Sequence, residues 1–130
     1  MILVETSAWI EHLRDGDQAV ADAVDAALRS GTAASTEPVI LELLAGARSE
    51  QHLSSLRGLL GRTSLLPVAT EDWREAAQLY RLCRANGKTV RSMLDCLIGS
   101  VAIRNGVALL HRDRDFLTLA AHTPLQLHPV

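Results

Sequence analysis

The stretch from Ser92 to Phe116, SMLDCLIGSVAIRNGVALLHRDRDF, constrains the fold more than any other part of the chain. Met93, Leu94, Leu97, Ile98, Val101, Ala102 and Ile103 fall on nearly every side of a helix over Ser92 to Asn105. A helix apolar all round is a buried helix. Asn105-Gly106 ends it, because glycine accepts the left-handed conformation just past a helix. Val107 to Leu110 is then an unbroken apolar run, the mark of a strand covered on both faces. Asp113 and Asp115 follow directly, and Asp95 sits in the first turn of the helix. In open α/β sheets ligands bind at the carboxyl ends of the strands. Charges are rarely left unpaired in such surroundings, so these acids call for a cation.

The rest of the chain supplies further strands and helices in alternation. Met1 to Val4 predicts a buried first strand, and Ala8-Trp9-Ile10 opens a helix with Thr6 or Ser7 as its N-cap. After the Asp15-Gly16-Asp17 turn, Ala19, Val20, Ala23, Val24, Ala27 and Leu28 repeat at helical spacing up to Gly31. Thr32 to Ser35 predicts a second strand. Thr36 caps a helix with Pro38 in its first turn, along which Glu42 stands among leucines until Gly46. Leu53, Leu56, Leu59 and Leu60 mark an amphipathic helix ended by Gly61, with His52 and Arg57 on its wet face.

Leu65 to Val68 predicts a third strand, put at a sheet edge by Pro67. A long helix follows from Thr70 to Asn86-Gly87, with Trp73, Ala76, Ala77, Leu79, Tyr80 and Cys83 as its buried stripe. Lys88 to Arg91 is a basic loop. Beyond Phe116 a short helix runs to Ala121, and Leu125 to Leu127 forms a last strand. Strands alternating with helices predict a parallel sheet of four to five strands with helices on both faces.

At 130 residues the chain makes one domain, residues 1–130, large enough to bury roughly two-thirds of its unfolded surface. Cys83 and Cys96 lie inside predicted helices without metal-ligand spacing, and read as small buried residues of a cytoplasmic protein. No signal peptide is expected, and no apolar run reaches the ~20 residues needed to span a bilayer. A net charge of −2 argues against a protein that coats nucleic acid through bulk positive charge. It leaves a nuclease open, because local arginines and a bound metal set the field at a cleft.

Glu5, Glu42, Asp95, Asp113 and Asp115 are thus the candidate acids. If the first strand neighbours the one after the buried helix, Glu5 and Asp113 project from one edge, and Asp95 reaches it too. An all-carboxylate set favours Mg²⁺ or Mn²⁺ over zinc. Without an ion, several carboxylates this close repel, and one or more holds a proton. With one, the cluster binds phosphate and suits metal-assisted attack of water on a phosphodiester. Plainer readings stand beside some of these: Glu42 as a rim residue, and the hydroxyls of Thr6 and Ser7 as helix caps only; Glu5, at a strand end, is harder to set aside. Lys88, Arg91, Arg112 and Arg114 are candidates for phosphate contacts that position RNA, or solvated surface. His111 reads as a strand-end residue without a role, and Trp9 and Tyr80 as core or dimer contacts.

Three segments together, MILVETSAW, Glu42 within VILELLAGAR, and DCLIGSVAIRNGVALLHRDRDF, resemble a PIN domain, and more narrowly the VapC toxins of bacterial toxin–antitoxin pairs. That resemblance implies a three-layer α/β/α domain and an endoribonuclease that depends on Mg²⁺ or Mn²⁺. It also implies a homodimer, neutralised by a small VapB-type antitoxin in a heterotetramer or larger assembly. By motif position Glu5, Glu42, Asp95 and Asp113 take the catalytic acids, with Glu5, Asp95 and Asp113 holding metal. Asp115 is an accessory acid, and Thr6 or Ser7 the hydroxyl beside the first acid.

Glu5 departs from the family's usual aspartate. The extra methylene displaces the carboxylate by about 1 Å, enough to weaken turnover. The alternative is a binding module acting as a dimeric antitoxin partner on operator DNA, its acidic cleft filled by an antitoxin arginine. An aspartate-phosphorylated receiver domain fits poorly, since Lys88 is the chain's only lysine.

Overall fold

The computed structural model describes residues 1–130. Its strands β1 (Ile2–Val4), β2 (Ala33–Ser35), β3 (Ser64–Leu65) and β4 (Ala108–Leu110) form one parallel sheet in the order β3-β2-β1-β4. Leu3, Val4, Ala34, Leu109 and Leu110 are fully buried, as the short apolar runs require. The seven helices are α1 (Thr6–Leu13), α2 (Gln18–Ser30), α3 (Glu37–Ala45), α4 (Glu50–Leu60), α5 (Thr70–Ala85), α6 (Met93–Asn105) and α7 (Arg114–His122). They cover the sheet on both sides, in the three-layer α/β/α arrangement expected. The four strands settle the expected four to five at the lower number. Leu125 to Leu127 joins the sheet only through one bridge to Leu109, with Leu109 donating its N–H to Gln126 O at 3.0 Å.

The central helix α6 is the one the sequence describes. Ser92 caps it through Leu94 N–H, and Gly106 closes it at φ 63°, the left-handed conformation that a β-carbon disfavours. Cys96, Ile98, Val101 and Ala102 are fully buried. Met93, by contrast, is 67% exposed, because it stands in the first turn before the helix enters the core.

Several local expectations change. The third strand is two residues long and ends before Pro67, though it does form the sheet edge. Helix α7 begins at Arg114, so Phe116 lies inside its first turn and is fully buried. In α5 the buried stripe is Asp72, Ala76, Leu79 and Cys83; Trp73 is 62% exposed and Ala77 also faces outward. Asp72 turns inward because Arg104 of α6 meets it with Nε at 3.0 Å and Nη2 at 3.0 Å, a two-pronged pair. Thr36 stands at the N-cap of α3, but its buried hydroxyl caps nothing and has no partner.

Trp9, fully buried with its Nε1–H donated to Val4 O at 3.1 Å, carries core packing that Trp73 does not. Urea denaturation of Trp9→Ala is expected to show a loss of about 3–5 kcal/mol. Trp73→Ala is expected to stay within about 0.5 kcal/mol of the parent, as exposed substitutions do.

Candidate functional site

The order β3-β2-β1-β4 runs one way from β1 to β2 and the other way from β1 to β4, which opens a crevice at the carboxyl ends of β1 and β4. Val4 pairs with Leu110, and Glu5 N–H continues the ladder to Leu110 O at 3.0 Å. Glu5 therefore leaves β1 at the level where the chain leaves β4 toward Asp113 and Asp115. Helix α6 directs its N-terminal turn to the same edge and brings Asp95 with it. The result is a cleft of about 320 Å³ lined by Glu5, Thr6, Ser7, Ile10, Glu42, Arg91, Ser92, Asp95, Asp113 and Asp115. All five candidate acids thus line one cleft, contributed by segments far apart in the chain.

Within it, one carboxylate oxygen from each of Asp95, Asp113 and Asp115 lies within 4.8 Å of the others. Asp95 is buried, and no protein donor reaches its carboxylate. Asp113 caps α7, accepting the Asp115 N–H at 3.0 Å. Across the cleft, Glu42 accepts the Thr6 hydroxyl at 2.8 Å. Glu5 is turned back on its own helix: Oε2 accepts both the N–H (2.8 Å) and the hydroxyl of Ser7. The cap of α1 is therefore Glu5, not Thr6 or Ser7. The Ser7 oxygen also accepts the Arg112 N–H at 2.8 Å, tying the end of β1 to the loop after β4.

The tightest acid trio holds Asp115 where Glu5 was expected. A converging all-oxygen set containing a buried acid without a donor suits a hard divalent cation. Asp95, Asp113 and Asp115 are the residues that would hold it.

The basic candidates divide. Arg91 donates Nε to Asp115 and Nη2 to Asp113, each at 2.9 Å. Arg112 pairs with Asp17 at 3.0 Å, while Lys88 and Arg114 are exposed. His111 Nδ1 accepts the Asp113 N–H at 3.1 Å, and its ring packs on Phe116. Its part is to support the loop, a contact that the sequence does not reveal. The sequence gives no sign of Arg91 as a partner of the acids beyond its nearness to Asp95, while Ser92 lines the cleft with its hydroxyl spent on the Leu94 N–H.

Burial, reinforced by the charges of Asp113, Asp115 and Glu42, pushes the Asp95 carboxyl up from its ordinary value to about 7; Arg91 acts in the opposite sense. Burial also pushes Glu5 up to about 7, with hydrogen bonds from Ser7 opposing and the Asp95 and Glu42 charges adding. Both acids are crowded enough to take a proton near neutrality when no ion is present.

An open parallel sheet whose crevice gathers acids from β1, α3, α6 and the β4–α7 turn is the architecture of one nuclease class, and residues 2–121 match the PIN domain; the chain belongs to that family. Within it the similarity is to VapC ribonucleases. The chain is 42% identical to VapC ribonuclease Mb1587 of Mycobacterium bovis over 129 residues, 97% of this chain and 96% of that one. It is 34% identical to ribonuclease VapC32 of Mycobacterium tuberculosis over 127 residues, 98% and 96% of the two chains. Among solved structures, VapBC2 from Rickettsia felis bound to a DNA fragment from its promoter superposes with a TM-score of 0.79 at 20% identity, covering 98% of both chains.

The raised carboxyls set a pH dependence. Between pH ~4 and ~7 the folded, ion-free chain keeps protons that the unfolded chain has released, so these two groups favour folding less as pH rises. Asn at position 95 mimics the protonated acid at every pH. In chelator, the Tm of Asp95→Asn is therefore expected to gain on the parent steadily from about pH 4 to about pH 7 and to level off above that. A difference that stays constant would mean that Asp95 titrates as an ordinary carboxylate.

Proposed function

We propose that this protein is an endoribonuclease toxin that hydrolyses RNA phosphodiester bonds with Mg²⁺ or Mn²⁺ and is neutralised by a small VapB-type antitoxin. The observation that carries this reading is the convergence of Asp95, Asp113 and Asp115 within 4.8 Å in a cleft shared with Glu5 and Glu42. A divalent cation bound there supplies Lewis-acid activation of water and neutralises charge on the phosphodiester. The chain's own residues supply the rest. Asp95, Asp113 and Asp115 hold the ion, and Glu42, steadied by Thr6, faces the cleft as a general base for the attacking water. Lys88 and Arg114 are free to take flanking phosphates, and Arg112, held near the cleft by Asp17, offers its remaining donors. A homodimer, and a larger assembly with the antitoxin, belong to the same reading.

In metal-supplemented assays on total RNA, Asp95→Asn and Asp113→Asn are each expected to lose cleavage by more than a hundredfold, with far-UV circular dichroism unchanged. Cleavage that survives in both would show that this acid cleft does not carry the reaction.

One feature favours a weak enzyme that serves mainly as antitoxin partner: Glu5 spends one of its two carboxylate oxygens on Ser7 and stands outside the tight trio. Glu5→Asp shortens that arm by one methylene, and is expected to raise the cleavage rate at least tenfold. Equal rates in the two chains would show that glutamate serves the site as well as aspartate.

A further inference from the structure

Arg91 belongs to the loop between α5 and α6, four residues before Asp95. Its Nε donates to Asp115 Oδ2 and its Nη2 to Asp113 Oδ1, both at 2.9 Å. Its backbone N–H reaches the same Asp115 oxygen at 3.3 Å. Two of the three carboxylates best arranged for an ion therefore already share a positive charge. The third, Asp95, has no hydrogen-bond donor and no direct ion-pair partner. The Arg91 side chain is 61% exposed, so its guanidinium can leave the acids without unpacking the core.

We propose that Arg91 is the resident counter-cation of the acid cleft, displaced by the divalent ion and turned, once displaced, onto a phosphate of the RNA beside the scissile one. The first half concerns the free chain alone; the second rests on the nuclease reading above. Guanidinium and divalent ion both draw on the Asp113 and Asp115 carboxylates, and two cations a few Å apart repel, so one disfavours the other. Arginine is the side chain suited to both partners, because its planar fork meets carboxylate and phosphate equally well. Its exposure keeps the pair weak enough to open, as a half-wet ion pair is worth little. On this view the repulsion among the acids of the apo cleft is relieved by its own arginine, and ion entry releases a phosphate-binding group at the moment substrate is required.

The test begins without RNA. Mn²⁺ titrated into purified protein, followed by calorimetry and by the paramagnetic signal of free Mn²⁺, is expected to give a Kd about tenfold lower for Arg91→Gln than for the parent. Arg91→Lys keeps the charge and is expected to stay within about twofold. Circular dichroism checks that both variants fold. Equal or weaker Mn²⁺ binding by folded Arg91→Gln overturns the proposal, since Arg91 would then only orient the acids. With Mn²⁺ saturating, Arg91→Gln is expected to raise KM for RNA about tenfold while kcat stays within about threefold, and Arg91→Lys to fall between. An unchanged KM overturns the phosphate half. Failure of the nuclease reading has its own signature: a parent that does not cut RNA, with Mn²⁺ still binding more tightly to Arg91→Gln. That result keeps the counter-cation and removes the phosphate role.

Discussion

Carboxylates held closer together than water would allow are the constraint on which this structure turns. Asp95, Asp113 and Asp115 meet within 4.8 Å at the end of a buried parallel sheet, with Glu5 and Glu42 across the same cleft. Five acids in one crevice oppose folding through mutual repulsion and lost hydration. The fold opposes that with a fully buried layer beneath them, in which Leu3, Val4, Leu109, Leu110, Ile98 and Val101 leave the strand ends no freedom to spread. Rigid elements deliver the acids, and the acids then need a cation. The chemistry of the site is a consequence of that order of causes.

The helix termini share in the arrangement. Asp95 and Asp115 lie in first turns, and Asp113 and Glu5 are caps, so four of the five acids stand where unpaired backbone N–H groups and the helix dipole favour negative charge. Asp113 and Glu5 spend oxygens on those donors. Asp95 does not, and it is one of the two acids whose carboxyls rise to about 7. Ser7 bridges the two sides: its hydroxyl donates to Glu5 and its oxygen takes the Arg112 N–H, so the β1 end and the β4 end move together.

Much of this was legible in the chain. The all-apolar helix over Met93 to Asn105, its Asn-Gly stop and the short run after it fix the middle of the fold, because burial on all sides has an unmistakable pattern. The five acids were legible too, as charges at the ends of buried elements. What escaped depends on partners distant in sequence. Asp72 displaced Trp73 from the buried stripe because Arg104, thirty-two residues on, supplies two donors to it. No periodicity within α5 announces that partner. Arg91 read as a loop cation free for phosphate, and its pairing with Asp113 and Asp115 appears only when β4 returns beside β1. Thr6 and Ser7 read equally as caps or as site hydroxyls, and the ambiguity was physical: the glutamate before them took the cap, which left both hydroxyls for the acids.

Glu5 shows how local and global demands collide in such a cleft. Its longer arm lets the carboxylate fold back and satisfy the first turn of α1, a local gain. The same fold-back takes one oxygen out of the field shared with Asp95, a loss for any ion seated there. An aspartate at the same backbone position has the shorter reach, so its carboxylate stays nearer the mouth of β1, where the crevice opens between the strands. Sites commonly break a local rule to satisfy a functional one; at Glu5 the local rule wins. The cleft is left with three tightly drawn acids on the β4 side, one arginine among them, and on the β1 side a glutamate occupied with its own helix.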